Sequence, residues 1–275
     1  MDLRDLKPDD MELTVWRYMP FPKLVSLLVY QSIWFSKLNI LQDQFEGMMP
    51  EATKEMMHAH HQDLKKGFAP EYHLQFDEMA SRNEQDSREL LVVSCWFLGE
   101  SESERMWRAY GGNNQSVAIK STIKKLIENI CVPHDKNVTH IGRVAYIDHK
   151  THMMTKYHAN QGHERAFLKD AGQFKHEQEL RIVTLNVKTK YCASPEGKPY
   201  EESEVQGKNM NNFENPGLYV AIRLKQLISA IHVSPEADGW FYLLVKRIIE
   251  LNKLGIRVDR SELFNKGQRC DTVSD

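Results

Sequence analysis

The residues with the most chemical content lie in Phe174–Val183, where Glu177, Glu179 and Arg181 recur at every second position. Side chains alternate along a strand, so this spacing predicts one shared face, continued by Val183 and Leu185, charged at its start and apolar at its end. Two carboxylates on one face repel, and an adjacent guanidinium relieves part of that repulsion. One carboxylate is then driven toward its protonated form while the other stays ionised, which suits acid/base work or the stabilisation of a cation. A strand end emerging into solvent with its charges hydrated would carry the same residues. Arg17, between Trp16 and Tyr18, has the geometry for bidentate capture of a phosphate or carboxylate, or for an arginine stem lying on a sheet with its head in water. Helical spacing puts Met106, Trp107 and Tyr110 on one stripe, which reads first as core and second as a stacking platform for a planar ring. Asp43 and Glu46 have the charge to bind a divalent cation; the favoured reading is that they cap the helix that follows.

Other constellations carry less. Among the twelve histidines, the series Glu55, His58, His61 and the pair His149, His152 match no H-E-x-x-H pattern and are joined by no cysteine, so solvated histidines explain them better than a metal site. No G-x-G-x-x-G, P-loop or G-x-S-x-G element is present, which disfavours Rossmann dehydrogenases, P-loop NTPases and α/β-hydrolases. Cys95, Cys131, Cys192 and Cys270 form no C-x-x-C pair and read as ordinary thiols.

These side chains need elements to position them. The strand-like segments are Leu13–Tyr18, Ile33–Ser36, Leu91–Phe97, Ser116–Lys120, Ile141–Ile147, Leu180–Val187, Leu218–Arg223 and Ala230–Val233. A helix opened by Pro20 and Pro22 has Phe21, Leu24, Val25 and Leu28 as its buried face, and Ser103-Glu104 and Thr122 start two more. Pro50–Leu90 reads as two polar helices. A long helix beginning at Ser234-Pro235 has Phe241, Leu244, Val245, Ile248 and Ile249 as its inward side. Lys190–Pro216 reads as a long surface loop or insertion, and residues from about 267 as a loose tail. The irregular mixture predicts a single α+β domain over residues 1–266, with a central mixed or antiparallel sheet, helices around it and a polar helical insert at about 50–90.

Composition sets the outer bounds. The chain has 275 residues, 41% hydrophobic and 27% charged, with a formal net charge of -2. That excludes disorder as the main state and the strong basic footprint of a dedicated nucleic-acid binder. No apolar run reaches the ~18 residues of a membrane span. Met1–Asp5 lacks the basic and apolar regions of a signal peptide, so a cytoplasmic protein without membrane contact is expected.

Trp16-Arg17-Tyr18, Trp34-Phe35-Ser36, Asp43-x-Phe45-Glu46, Ser94-Cys95-Trp96, Met106-Trp107-x-x-Tyr110, Val117-Ala118-Ile119, Val144-x-Tyr146 and Lys175-x-Glu177-x-Glu179-x-Arg181 follow one another in that order. Together they resemble a bacterial domain family of unknown function, family 2971, which pairs an early D-P-F-E-like loop with a late E-x-E-x-R strand; Gln44 stands where that loop has proline. A more distant likeness is to ADP-ribosyltransferases of the arginine–serine–glutamate type. That likeness implies cleavage of the nicotinamide–ribose bond of NAD through an oxocarbenium-like state. It implies that Glu179 holds the ribose and its developing charge, that Glu177 positions or deprotonates the acceptor, and that Ser36 orients Glu179. Arg17 would hold the diphosphate, and Tyr18, Trp107, Tyr110 and Arg181 would complete the nucleotide site. The implied partners are a small-molecule nucleotide and a protein or nucleic-acid acceptor, and the implied role is that of a toxin or antiviral defence effector. Two other readings stand beside it. One is a non-catalytic module that recognises a protein or nucleic acid through Pro50–Leu90 and Lys190–Pro216. The other is a nuclease using Asp43, Glu46, Glu177 and Glu179 around Mg²⁺ or Mn²⁺.

Overall fold

A computed structural model gives the fold and describes residues 1–112, 114–132, 138–186, 192–193, 216–261 and 263. The fold is α+β, as the mixed pattern predicts. The chain divides into two compact units that alternate along the sequence. Met1–Lys7, Ile33–Cys95 and Cys131–Ala221 form the first; Pro8–Ser32, Trp96–Ile130 and Ile222–Asp275 form the second.

In the first unit, Asp2–Arg4 pairs in parallel with His140–Arg143, which runs antiparallel to Glu179–Leu185 with Gly142 opposite Arg181. Glycine is required at 142 because a Cβ there would meet the Arg4 carbonyl oxygen at 2.7 Å. The continuous strand expected over Ile141–Ile147 is broken at Val144. The Val144 N–H bonds the Glu179 carbonyl, whereas the Ala145 N–H turns to Phe167, and Ala145–Ile147 then forms a separate parallel ribbon with Leu168–Asp170. Ser36 pairs with Val93, and Leu38, Leu91, Val93, Ala166, Phe167 and Val183 form one buried apolar cluster beneath these strands. Burial of side chains of this size contributes about 1.5–3 kcal/mol each. The polar helices expected over 50–90 are present as Glu51–Lys65 and His73–Leu90.

In the second unit, Thr14–Pro20 is antiparallel to Ser116–Thr122, which pairs antiparallel with Ala230–Val233; that strand pairs in parallel with Arg257–Arg260. The helix Phe21–Tyr30 buries Leu24, Leu27 and Leu28, leaving Val25 half-buried. The last helix begins at Gly239 rather than at Ser234-Pro235. Ser234 is held by the Ser116 carbonyl and closes a turn that accepts the Ala237 N–H, so its backbone is not free to enter a helix. Phe241, Val245 and Ile249, spaced four apart, define the inward line of that helix. Leu244, expected inside, lies about 100° from Val245 around the axis and is 38% exposed. The Lys190–Pro216 loop, apart from Cys192–Ala193 and Pro216, and the tail after 267 fall outside the described residues. No helix among the described residues is long and apolar enough to cross a membrane.

Candidate functional site

The first unit gathers charge around Arg181. Lys175–Glu177 forms a single 3-10 turn, Gln178 takes a left-handed φ of 39°, and the strand begins at Glu179. Glu177 is therefore not a strand residue sharing a face with Glu179 and Arg181, as the two-residue spacing predicts; a chain reversal separates them. It still reaches the same place, because Lys169 binds both Glu177 and Glu179, the latter at 3.2 Å. Lys169 lies opposite Tyr146 in the parallel ribbon. The Tyr146 hydroxyl accepts the Glu179 N–H at 2.8 Å and so fixes where the strand starts.

Arg181 is fully buried, and all five of its donors are engaged. Its Nε donates to Glu179 Oε1 at 2.7 Å, and Nη1 donates to Glu46 Oε2 at 2.7 Å and to the Ala166 carbonyl at 2.6 Å. Nη2 donates to Glu46 Oε1 at 2.6 Å and to Glu179 Oε2 at 3.0 Å. With no donor left over, Arg181 positions two carboxylates rather than holding a nucleotide, which reassigns the role implied for it. Glu46 arrives on a loop that its own acid organises. Asp43 Oδ1 accepts the Phe45 N–H, and Oδ2 accepts the Asp170 N–H at 3.1 Å, which ties the loop to the strand of Lys169. Neither acid caps the following helix, whose N-cap is Pro50 with no side-chain cap bond; the capping reading is corrected accordingly.

Three carboxylates thus share two cations, leaving one negative charge in excess when all are ionised. Burial raises Glu46, and this outweighs the opposing pull of Arg181. Burial also acts to raise Glu179, but Arg181 and Lys169 overcome it and hold that carboxylate at about 2. The Cys95 thiol also donates to Glu179, and burial pushes that thiol up, so it stays protonated. Burial would discharge Lys169, but the attraction of Glu179 and its neighbours keeps it charged. The sequence pattern therefore identified the type of arrangement but not its members: the raised and lowered carboxylates are Glu46 and Glu179. Exposure is graded across the cluster. Side chains of Glu46 and Arg181 have none, whereas Lys169 retains 7% and Glu177 and Glu179 each 4%, so the Lys169–Glu177 side faces outward. Among the described residues, no group of three or more acids, histidines or cysteines is arranged to hold a metal ion; the meeting point of Glu46, Glu177 and Glu179 is occupied by the Lys169 ammonium.

The other candidates are placed elsewhere. Ser36 belongs to the first unit, where its hydroxyl oxygen accepts the Trp34 indole N–H at 3.0 Å; Arg181, Lys169 and Cys95 orient Glu179. Arg17, Tyr18, Trp107 and Tyr110 belong to the second unit. There Trp16, Tyr18, Phe97, Met106, Trp107 and Ala118 form a buried cluster, with Tyr110 partly buried against it. The Tyr18 ring meets Trp107 edge-on at 5.0 Å, and its hydroxyl accepts the Ser103 N–H. Trp107 donates its indole N–H to Glu102 at 2.9 Å. The Met and aromatic stripe is core, the first of its two readings. Arg17 is half-buried with its guanidinium 5.7 Å from the Trp96 ring.

The sequence reading missed Lys169, Tyr146 and the pairing of Glu46 with Arg181. Tyr146 and Glu46 each sit in one of the ordered motifs, and motif order is the signal that could have joined them. Lys169 sits in none. Fold and site together define an α+β protein organised around a buried ionic centre. Residues 106–182 match the model of a family described as "Protein of unknown function (DUF2971)", a stretch that includes Lys169, Glu177, Glu179 and Arg181 and supports the resemblance drawn from the motifs. No curated protein matches the chain.

Proposed function

We propose that the ionic centre of the first unit belongs to an NAD-consuming enzyme of the ADP-ribosyltransferase type, acting as a transferase or as an NAD glycohydrolase. The observation that carries this reading is the surplus carboxylate on the outward side of the cluster. NAD presents a permanently cationic nicotinamide ring, and heterolysis of its bond to ribose sends the electron pair to the ring nitrogen and leaves a cation at the sugar carbon. Fixed negative charge in a water-poor setting favours both species more than it would in bulk water. Glu179, locked in its ionised form, faces the sugar cation. Glu177 takes the proton of the incoming nucleophile when Lys169 releases it. Role as toxin or defence effector follows from analogy alone.

Mixing the chain with NAD and a cell extract should release nicotinamide, measured by chromatography. Glu177→Gln should lower that release about 100-fold or more, in the range of a lost general base, with an unchanged melting temperature. Absence of release above the Glu179→Gln background, with and without extract, would refute the reading.

A second reading is favoured by the saturation of Arg181 and Glu179 by protein partners. A fully satisfied polar network specifies a fold, and the chain would then be a binding module for a protein or nucleic acid. Under that reading, Glu177→Gln changes stability and releases no less nicotinamide than the parent.

A further inference from the structure

The helix Gly239–Leu251 in the second unit is apolar on two sides. Phe241, Val245 and Ile249 point inward and are buried. Outward, Trp240, Leu243, Leu244 and Leu251 are 54, 63, 38 and 62% exposed. At about 100° per residue, Trp240, Leu244 and Leu251 fall within roughly 40° of one another around the axis, with Leu243 roughly 60° to one side. Single exposed leucines are unremarked on protein surfaces, but four large apolar side chains in one stripe mark an interaction site.

Arg247 decides what can cover the stripe. It projects between Leu243 and the Trp240–Leu244–Leu251 line, and Glu250, 3.5 Å away on the rim, is its ion-pair partner. An occupant that buries the leucines also buries this guanidinium, and a buried guanidinium must be met by carboxylate. A second copy of the chain meets it badly. The antiparallel register that sets Leu244 on Leu251 of the other copy brings the two Arg247 side chains together. Sliding the helices until Arg247 meets Glu250 sets Leu244 against Lys253 and Leu251 against Lys246. A lipid surface would draw Arg247 toward the acyl chains along with the leucines. The exposed charges on and just beyond this helix, Lys246, Arg247 and Lys253 against Glu250, also lean positive.

We infer that the Trp240–Leu251 stripe docks an amphipathic helix of a partner protein whose leucine-rich face carries a carboxylate at its centre and acids along its edges. Such helices bind through anchors at i, i+3, i+4 and i+7. The inference is independent of the chemistry proposed for the first unit.

The test uses the full chain and two fluorescent helical peptides with the same leucines, one with a central glutamate and glutamate flanks, the other with lysine at those positions. Anisotropy should show saturable binding of the acidic peptide, about ten-fold tighter or more than the basic one. Leu244→Asp should weaken it by about ten-fold or more, and Arg247→Glu should reverse the preference between the peptides. Both positions are exposed, so unchanged melting curves check that the variants fold. No binding, equal binding of the two peptides, or an unaltered preference in Arg247→Glu overturns the inference. It is equally overturned by sedimentation showing a dimer that Leu244→Asp dissociates, or by phosphatidylserine vesicles binding through Trp240 while the acidic peptide does not.

Discussion

Glu179 and Glu102 are both buried carboxylates held below their ordinary pKa, one in each unit, and the neighbours that hold them differ. Burial acts to raise both. In the first unit, the opposing force is charge: a guanidinium with every donor engaged and an ammonium shared with two other acids. In the second, Glu102 is held by hydrogen bonds from the His232 imidazole at 2.6 Å, the Ser261 side chain and the Trp107 indole. Removing one partner of an ionic pair leaves an uncompensated charge behind, whereas removing one neutral donor leaves a weakened acceptor. The first unit should therefore respond steeply to loss of a single charged side chain, and the second more gently to loss of a single donor.

Arg181→Met puts the contrast to its hardest test. It strands Glu46 and Glu179 together in the interior, and urea unfolding should show about 3–5 kcal/mol of lost stability. A smaller loss than that of the Trp107 variant below would erase the distinction between the units.

Acid should also act unevenly. In the first unit, the His163 ring lies parallel to His140 at 3.8 Å. Burial, with the His140 ring and Arg4 beside it, brings His163 down from 6.5 to about 4. Because the folded state takes this proton later than the unfolded chain, its contribution is complete above pH 6.5. It is lost as pH falls from 6.5 toward 4, and amounts to about 3 kcal/mol. Melting temperatures measured across that range should decline, and His163→Phe, which retains a ring against His140, should flatten the decline. An unchanged slope in that variant would place the acid sensitivity elsewhere.

The gentlest effect belongs to Trp107→Phe in the second unit. It keeps an aromatic ring beside Tyr18 but deletes the donor to Glu102, and should cost about 2 kcal/mol. Glu102 should then titrate at higher pH, readable in the acid limb of the unfolding curve; an unmoved limb would mean that His232 and Ser261 alone hold that carboxylate.

The elements carrying the ionic centre were legible where hydrophobic period was strong. The strands at Leu91–Phe97 and Leu180–Val187, the helix after Pro20 and the polar pair over 50–90 all follow from patterning. The chemistry of Glu179 and Arg181 was also legible, because acid and base two residues apart share a strand face. Glu177 was misplaced, because one left-handed residue, Gln178, ends the alternation, and glutamine gives no local warning of a positive φ as glycine would. Leu244 was put inside because a helix that is apolar on two sides offers no polar boundary to orient it.

The amino-acid order by itself determined the α+β class, most elements and the residue types of the buried centre, since periodicity and charge spacing are properties of neighbours in sequence. Tertiary structure decided which acid pairs with Arg181 and that Lys169 sits among three carboxylates. Residues 46, 169 and 181 come from separate segments, and electrostatic energy depends on their distances in space. Only chain folding sets those distances.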